Sequence, residues 1–313
     1  MIAAVVDAWL TSGALDLPLP GCGETADRWN RLSMLTEQDI VGGRLAEAHA
    51  DAVAILAELD GPDAEPGQLW GVWAAESGDA VLCAADDGGR TTLDGTKVWC
   101  SGAGLCSHAL VTARLPSGER RLFAVALAES GARPLPSSWH NCGMAESDTR
   151  SVQFIDTPAV AVGRPGEYLT RPGFWHGAAG VAACWLGGAR AVAAPLYARA
   201  AAGSADAHTL AHLGAVDAAL AAATATLISV ADEVDHDPLN RKGRAELVAR
   251  RARAVAETAV EESITRCARA LGPAPLCLDG RHAQRVADLA VYVRQSHAER
   301  DLERLGLLAG TPS

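Results

Sequence analysis

Of the 313 residues, the side chains best suited to proton transfer are histidines in unusual local settings. His297 lies in the run Arg294-Gln-Ser296-His297-Ala-Glu299-Arg-Asp301. An imidazole titrates near neutrality, and Ser296 and Glu299 beside it could orient the ring. The same run also reads as a helix start, with Ser296 or His297 as its cap and Glu299 solvated, and residue types alone leave both readings open. His176, in Phe174-Trp175-His176-Gly177, is a second candidate, or else a packed residue at a domain junction. Metal chemistry is not expected. The eight cysteines (22, 83, 100, 106, 142, 184, 267 and 277) form no CxxC pair and no Cys/His ligand spacing. No GxGxxG follows a strand, which disfavours a Rossmann site.

Bulk properties narrow the partners. The net charge is −11, and residues 1–67 carry twelve acidic residues against three arginines, a net of −9. Nucleic acid needs clustered Lys and Arg, so none is expected as a partner. No run of eighteen apolar residues lacks a charge or helix breaker, so no membrane span is expected. Scattered cysteines inside apolar runs read as buried hydrophobes in a reducing cytoplasm, and the first residues lack the basic stretch of a signal peptide.

Three regions must position these residues, giving an α+β protein. Residues 1–67 read as helical: Thr36-Glu-Gln-Asp39 has the form of a capping box, Leu45, Ala48, Ala52, Leu56 and Leu59 share one face, and Gly61-Pro62 is a stop. Residues 68–168 hold short β-rich runs at 69–73, 80–83, 96–100, 109–113, 121–126 and 151–154. Asp94-Gly95 and Pro116-Ser-Gly118 mark turns between them, as in an antiparallel barrel or sandwich. Residues 169–313 are Ala-rich, with helices expected at 178–202, 206–234, 244–271, 281–295 and 297–308, most simply a four-helix bundle with a short fifth.

This order, and two motifs in it, resemble the acyl-CoA dehydrogenase superfamily. Leu93-Asp-Gly95-Thr-Lys97-Val-Trp99-Cys-Ser101-Gly102 is similar to the family's "L-x-G-x-K-x-W-I-T/S" strand. Gly143-Met144, Ser147-Asp148-Thr149, Val152-Gln-Phe154 and Val162-Gly163 follow a second family stretch. The resemblance implies a shortened N-terminal domain, a β-barrel and a bundle. It also implies FAD, with Trp99, Ser101 and Gly102 against the isoalloxazine ring in a cleft between β-domain and bundle. A flat indole suits that ring, and a hydroxyl can bond its N5 and O4 edge. Arg199 resembles a family arginine that reaches a flavin pyrophosphate across a subunit interface, and Arg269 with Gly272 falls where the family has another diphosphate contact. At both sites one neighbour departs from the pattern: Ala202 replaces a Phe, and Pro273 replaces a Gly and its N–H.

Two departures bear on the reaction. Ser296 stands where many members carry their catalytic Glu, and Trp175 and Ala178 replace charged residues that help hold a CoA thioester. The resemblance therefore implies an FAD-dependent oxidoreductase for an acyl or related small organic substrate, without the usual Glu-base mechanism. The alternatives are a flavin-dependent monooxygenase using His297, since that loop resembles the hydroxylase branch, or a non-redox partner subunit that has lost flavin. A homodimer or homotetramer is implied as well, with a paralogous subunit as a further possibility.

Overall fold

The structure, a computed structural model, describes residues 2–76, 80–128 and 131–310, the side chain of Asp87 excepted. The chain divides into two units. Met1–Leu17, Leu45–His140 and Ala145–Phe174 form the first; Pro18–Arg44, Asn141–Met144 and Trp175–Ser313 form the second.

The first unit is built on a sheet of eight strands: β1 (Trp70–Trp73), β2 (Leu82–Asp87), β3 (Arg90–Cys100), β4 (His108–Arg114), β5 (Arg120–Ala126), β6 (Arg133–Pro134), β7 (Arg150–Pro158) and β8 (Val160–Val162). Its path is β6-β7-β3-β2-β4-β5-β8, with β1 pairing β4. The sheet is mixed where alternation alone suggested antiparallel pairing: β1 and β2 both run parallel to β4. Period-2 patterning divides the side chains between two cores. Ala109, Val111, Phe123 and Val125 join Trp73, Leu93 and Phe154 on one side. Leu110, Leu122 and Ala124 meet Ala52, Ile55 and Leu56 of helix α3 (Ile40–Glu58), and Leu59 just after it, on the other. The expected apolar face, Leu45 to Leu59, is thus buried.

One turn falls elsewhere than expected. Asp94-Gly95 is no hairpin; it lies inside β3, and the β2–β3 turn is at Gly88-Gly89, both with positive φ. Gly95 has φ 126°, and a Cβ there would meet Val81 O at 2.2 Å. The glycine admits a passing carbonyl rather than a turn, a contact local sequence cannot reveal.

The second unit is helical: α2 (Thr25–Gln38), then, beyond α1 (Ile2–Thr11) and the short α4 (Glu167–Thr170) of the first unit, α5 (Gly173–Ala201), α6 (Ala207–His236), α7 (Ala245–Leu271), α8 (Ala274–Leu278), α9 (Gly280–Tyr292) and α10 (Glu299–Gly310). Of the helices expected after residue 169, α6, α7 and α9 begin and end close to the expected positions because strong signals bound them, while α5 begins five residues earlier than expected. Asp206 caps α6 through Thr209 N at 2.7 Å, and Gly272 ends α7 with φ 67°. The capping box at Thr36 is not used. Thr36 lies within α2, bonding back to Leu32 O at 2.8 Å, and Asp39 instead caps α3 through Gly42 N at 2.7 Å. Asp235 of α6 accepts from Gly23 N and Thr25 N at 3.0 and 3.1 Å, fixing the start of α2. By length and composition alone α5 and α6 could cross a membrane. Here they pack side by side through polar contacts, Tyr197 with Asp217 and Arg190 with Thr224.

Candidate functional site

Trp99 occupies an irregular point in the sheet. Lys97 pairs with Val152 and Cys100 with Arg150, so β3 advances three residues while β7 advances two. This bulge puts Trp99 at φ 59°, left-handed and costly for a bulky side chain. A bulge re-aims its side chain, and here a large indole stands 58% exposed, edge-on to Trp139 with ring centroids 6.4 Å apart. Long-range contacts hold the strain in place. Just before the bulge, the buried Lys97 ammonium donates to Glu76 Oε1 at 2.8 Å, Thr112 O at 3.0 Å and Thr112 Oγ1 at 2.7 Å. Burial lowers the Lys97 pKa while Glu76 opposes that shift. Burial also pulls the Glu76 carboxyl upward, but Lys97 and Arg120 outweigh it and hold it below its usual range.

After the bulge the chain turns at Gly102 (φ 72°) and is tied to the segment before β7. Gly102 N donates to Ser147 O at 2.8 Å and Ala103 N to Asp148 O at 3.1 Å. Asp148 accepts from Gly104 N at 2.7 Å and from Arg150 Nε at 2.5 Å. Space at the turn is tight: a Cβ on Gly102 would lie 2.7 Å from Cys106 Sγ. A hydroxyl chain crosses between the two segments. Thr149 Oγ1 donates to Ser101 Oγ at 3.0 Å and lies 2.8 Å from Ser147 Oγ. Each hydroxyl has one proton, so this chain leaves the Ser101 O–H unspent among the described residues. Beside an exposed indole, that donor suits the polar edge of a planar heteroaromatic ring.

In the second unit, Ser296 is buried and does two jobs. Its hydroxyl donates to Glu257 Oε2 of α7 at 2.6 Å and accepts from Ala298 N at 3.0 Å. The second bond closes a tight turn just before α10. Arg294 holds Glu257 at 3.1 Å. The His297 side chain is 71% exposed, 3.8 Å from Asp301, and its backbone N–H donates to the same carboxylate at 3.1 Å. Burial pushes the Asp301 pKa upward, but the His297 N–H and Arg250, 2.9 Å away, outweigh it and lower it. His176 is buried in the first turn of α5. Trp175 stacks under Arg250 at 4.9 Å.

Arg199, Arg269 and Gly272 sit at helix ends. Arg199 is exposed and folds back on Ser204 O at 3.4 Å. Arg269 is exposed in the last turn of α7 and forms no ion pair among the described residues. Gly272 closes that helix through its N–H to Ala268 O at 3.1 Å. Trp99, Ser101 and Gly102 therefore come together in the first unit, while Ser296 and His297 adjoin in the second. Sequence reading missed Trp139, Thr149 as a hydroxyl donor, and Glu257. Trp139 lies in an aperiodic loop and Glu257 is 39 residues from Ser296, so no local spacing marks either. No cluster of three or more His, Cys, Asp or Glu able to hold a metal occurs among the described residues.

No family model matches the sequence, and no curated protein matches it. Solved structures do. The dibenzothiophene monooxygenase TdsC from Paenibacillus sp. A11-2, solved with FMN and indole, superposes with a TM-score of 0.77 at 19% identity, over 90% of this chain and 82% of TdsC. The nitrososynthase from Micromonospora carbonacea var. africana gives 0.79 at 17% identity, over 97% and 88%. A chain from the structure of the electron transferring flavoprotein of Acidaminococcus fermentans gives 0.83 at 15% identity, over 98% and 89%. With the helix–sheet–bundle order, this likeness establishes that the chain has the acyl-CoA dehydrogenase fold.

Proposed function

We propose that the protein is a flavin-dependent oxidoreductase acting on a small organic substrate. The family resemblance assigns Trp99, Ser101 and Gly102 to the flavin ring and Arg199, Arg269 and Gly272 to its phosphates. The observation that carries this reading is the strained, exposed Trp99 beside a Ser101 hydroxyl with a proton left to donate. Strain maintained by the buried Lys97 ammonium and an interloop lock fits a site better than a surface accident. Flavin-dependent relatives in fold, TdsC with FMN among them, support the same class; the flavin here is FAD or FMN. A bound flavin supplies two-electron redox chemistry and, when reduced, reactivity toward oxygen.

The chain's own residues supply the proton handling. His297 is the exposed imidazole, and Asp301 fixes its backbone. Ser296 holds Glu257, the carboxylate beside the position where many relatives place their base. His176, buried, is proposed to position rather than transfer. A homo-oligomer is the proposed assembly, with a paralogous subunit as the alternative partner.

The test is the visible spectrum of the purified chain titrated with FMN and with FAD, followed by anaerobic reduction with dithionite. A yellow protein with one flavin per chain, bleached on reduction, is expected. A folded, colourless chain indifferent to both flavins overturns the reading.

A further inference from the structure

We infer that the second unit carries a separate binding site for a small amphipathic carboxylate, in a cleft of about 320 Å³ bounded by α2, α5 and α6. The inference begins with the cation in that cleft. Arg190 projects from α5, and both of its hydrogen bonds go to neutral hydroxyls: Nη1 to Ser33 Oγ at 3.4 Å, and Nη2 to Thr224 Oγ1 at 2.9 Å. It forms no ion pair among the described residues. Arg250, on α7 of the same unit, reaches Glu246 and Asp301, each at 2.9 Å. A guanidinium stays charged and has five N–H donors, so three of Arg190's remain for another acceptor. A half-buried cation with neutral neighbours is stabilised by any anion that can reach it.

The walls define the rest of the ligand. The buried Trp29 indole, Leu186 and Leu227 line the interior, and Ile228, 52% exposed, forms part of the rim. Such walls suit a flat or short apolar body. The volume lies at the lower end of the roughly 300–1,000 Å³ of ligand pockets, enough for one ring with a short arm. Charge limits the anion. Asp27 stands at the edge, offset by Arg31 at 4.0 Å. A multiply charged phosphate ester would meet Asp27 unfavourably, whereas one carboxylate matches one guanidinium in charge and in fork geometry. The site shares no residue with the flavin candidates and does not rest on the flavin reading.

The test is calorimetric titration of the full chain with phenylacetate and with its neutral isostere phenylacetamide, repeated with saturating FMN present. Phenylacetate is expected to bind saturably, one per chain, and phenylacetamide about tenfold more weakly. Arg190→Gln, which keeps a donor for the hydroxyls, is expected to lose about tenfold in phenylacetate affinity with little change for the amide. Should that variant not fold, Ile228→Glu decides: an added negative charge at an exposed rim position weakens phenylacetate severalfold. Absent saturation, equal binding of acid and amide, or full affinity in the variant that folds, overturns the inference. So does binding that appears only after self-association is broken, which would place a second copy in the cleft.

Discussion

Trp99 and Gly102 in the first unit, and Gly272 and Ala298 in the second, all have positive φ, at 59°, 72°, 67° and 46°. At the helix ends the conformation serves its neighbours. Gly272 lets α7 close on Ala268 O, and a Cβ there would meet nothing within 4 Å. Ala298 donates its N–H to the Ser296 hydroxyl in the turn that leads into α10. At the bulge the conformation answers to distant residues: β7 sets the register, Glu76 and Thr112 pin Lys97, and Ser147 and Asp148 lock the turn. Left-handed backbone explained within one turn is punctuation. Left-handed backbone held from fifty residues away marks a place where the fold positions a side chain against its local preference.

The contrast can be broken by mutation. Lys97→Met removes the cation pinning β3 and leaves the Thr112 carbonyl and hydroxyl without their donor, so it should destabilise the protein by about 2 kcal/mol in urea unfolding. A loss under 1 kcal/mol would show the bulge is not held from below. Gly102→Ala combines a left-handed penalty with the approach to Cys106 and should cost about 2 kcal/mol by the same assay.

In the bundle the effects are smaller and local. Asp301→Asn should cost about 1 kcal/mol at pH 7, because its carboxylate accepts from the His297 N–H and Arg250. The sign follows from its lowered pKa. The contribution is fully present above the ordinary value of 3.8 and is lost as pH falls through the lowered one. Wild type and variant should therefore differ in melting temperature at pH 6 and converge in strong acid. Arg269→Ala should leave stability within about 0.5 kcal/mol. If this arginine faces the flavin phosphates, FAD affinity falls severalfold in a fluorescence titration.

What could be read ahead of the structure follows the same division. The bundle helices were legible because Ala-rich periodicity runs between strong breakers such as Asp206 and Gly272, all within a few residues. The family-like stretch 93–102 was legible as a motif. Its geometry was not, because the bulge exists only once β3 meets β7. Asp94-Gly95 misled for the same reason: the dipeptide looks alike in a hairpin and beside a passing carbonyl. Glu257 and Trp139 acquire meaning only through partners 39 and 40 residues away.

The central claim is that the strained indole is a flavin platform. Equilibrium dialysis of FMN and FAD against wild type and Trp99→Ala, with matched thermal melts, tests it most directly. The account predicts one flavin per wild-type chain and affinity at least tenfold weaker in the variant. The variant's melt should stay within a few degrees, since relief of strain offsets the lost Trp139 contact. Equal flavin binding by the two proteins would contradict it.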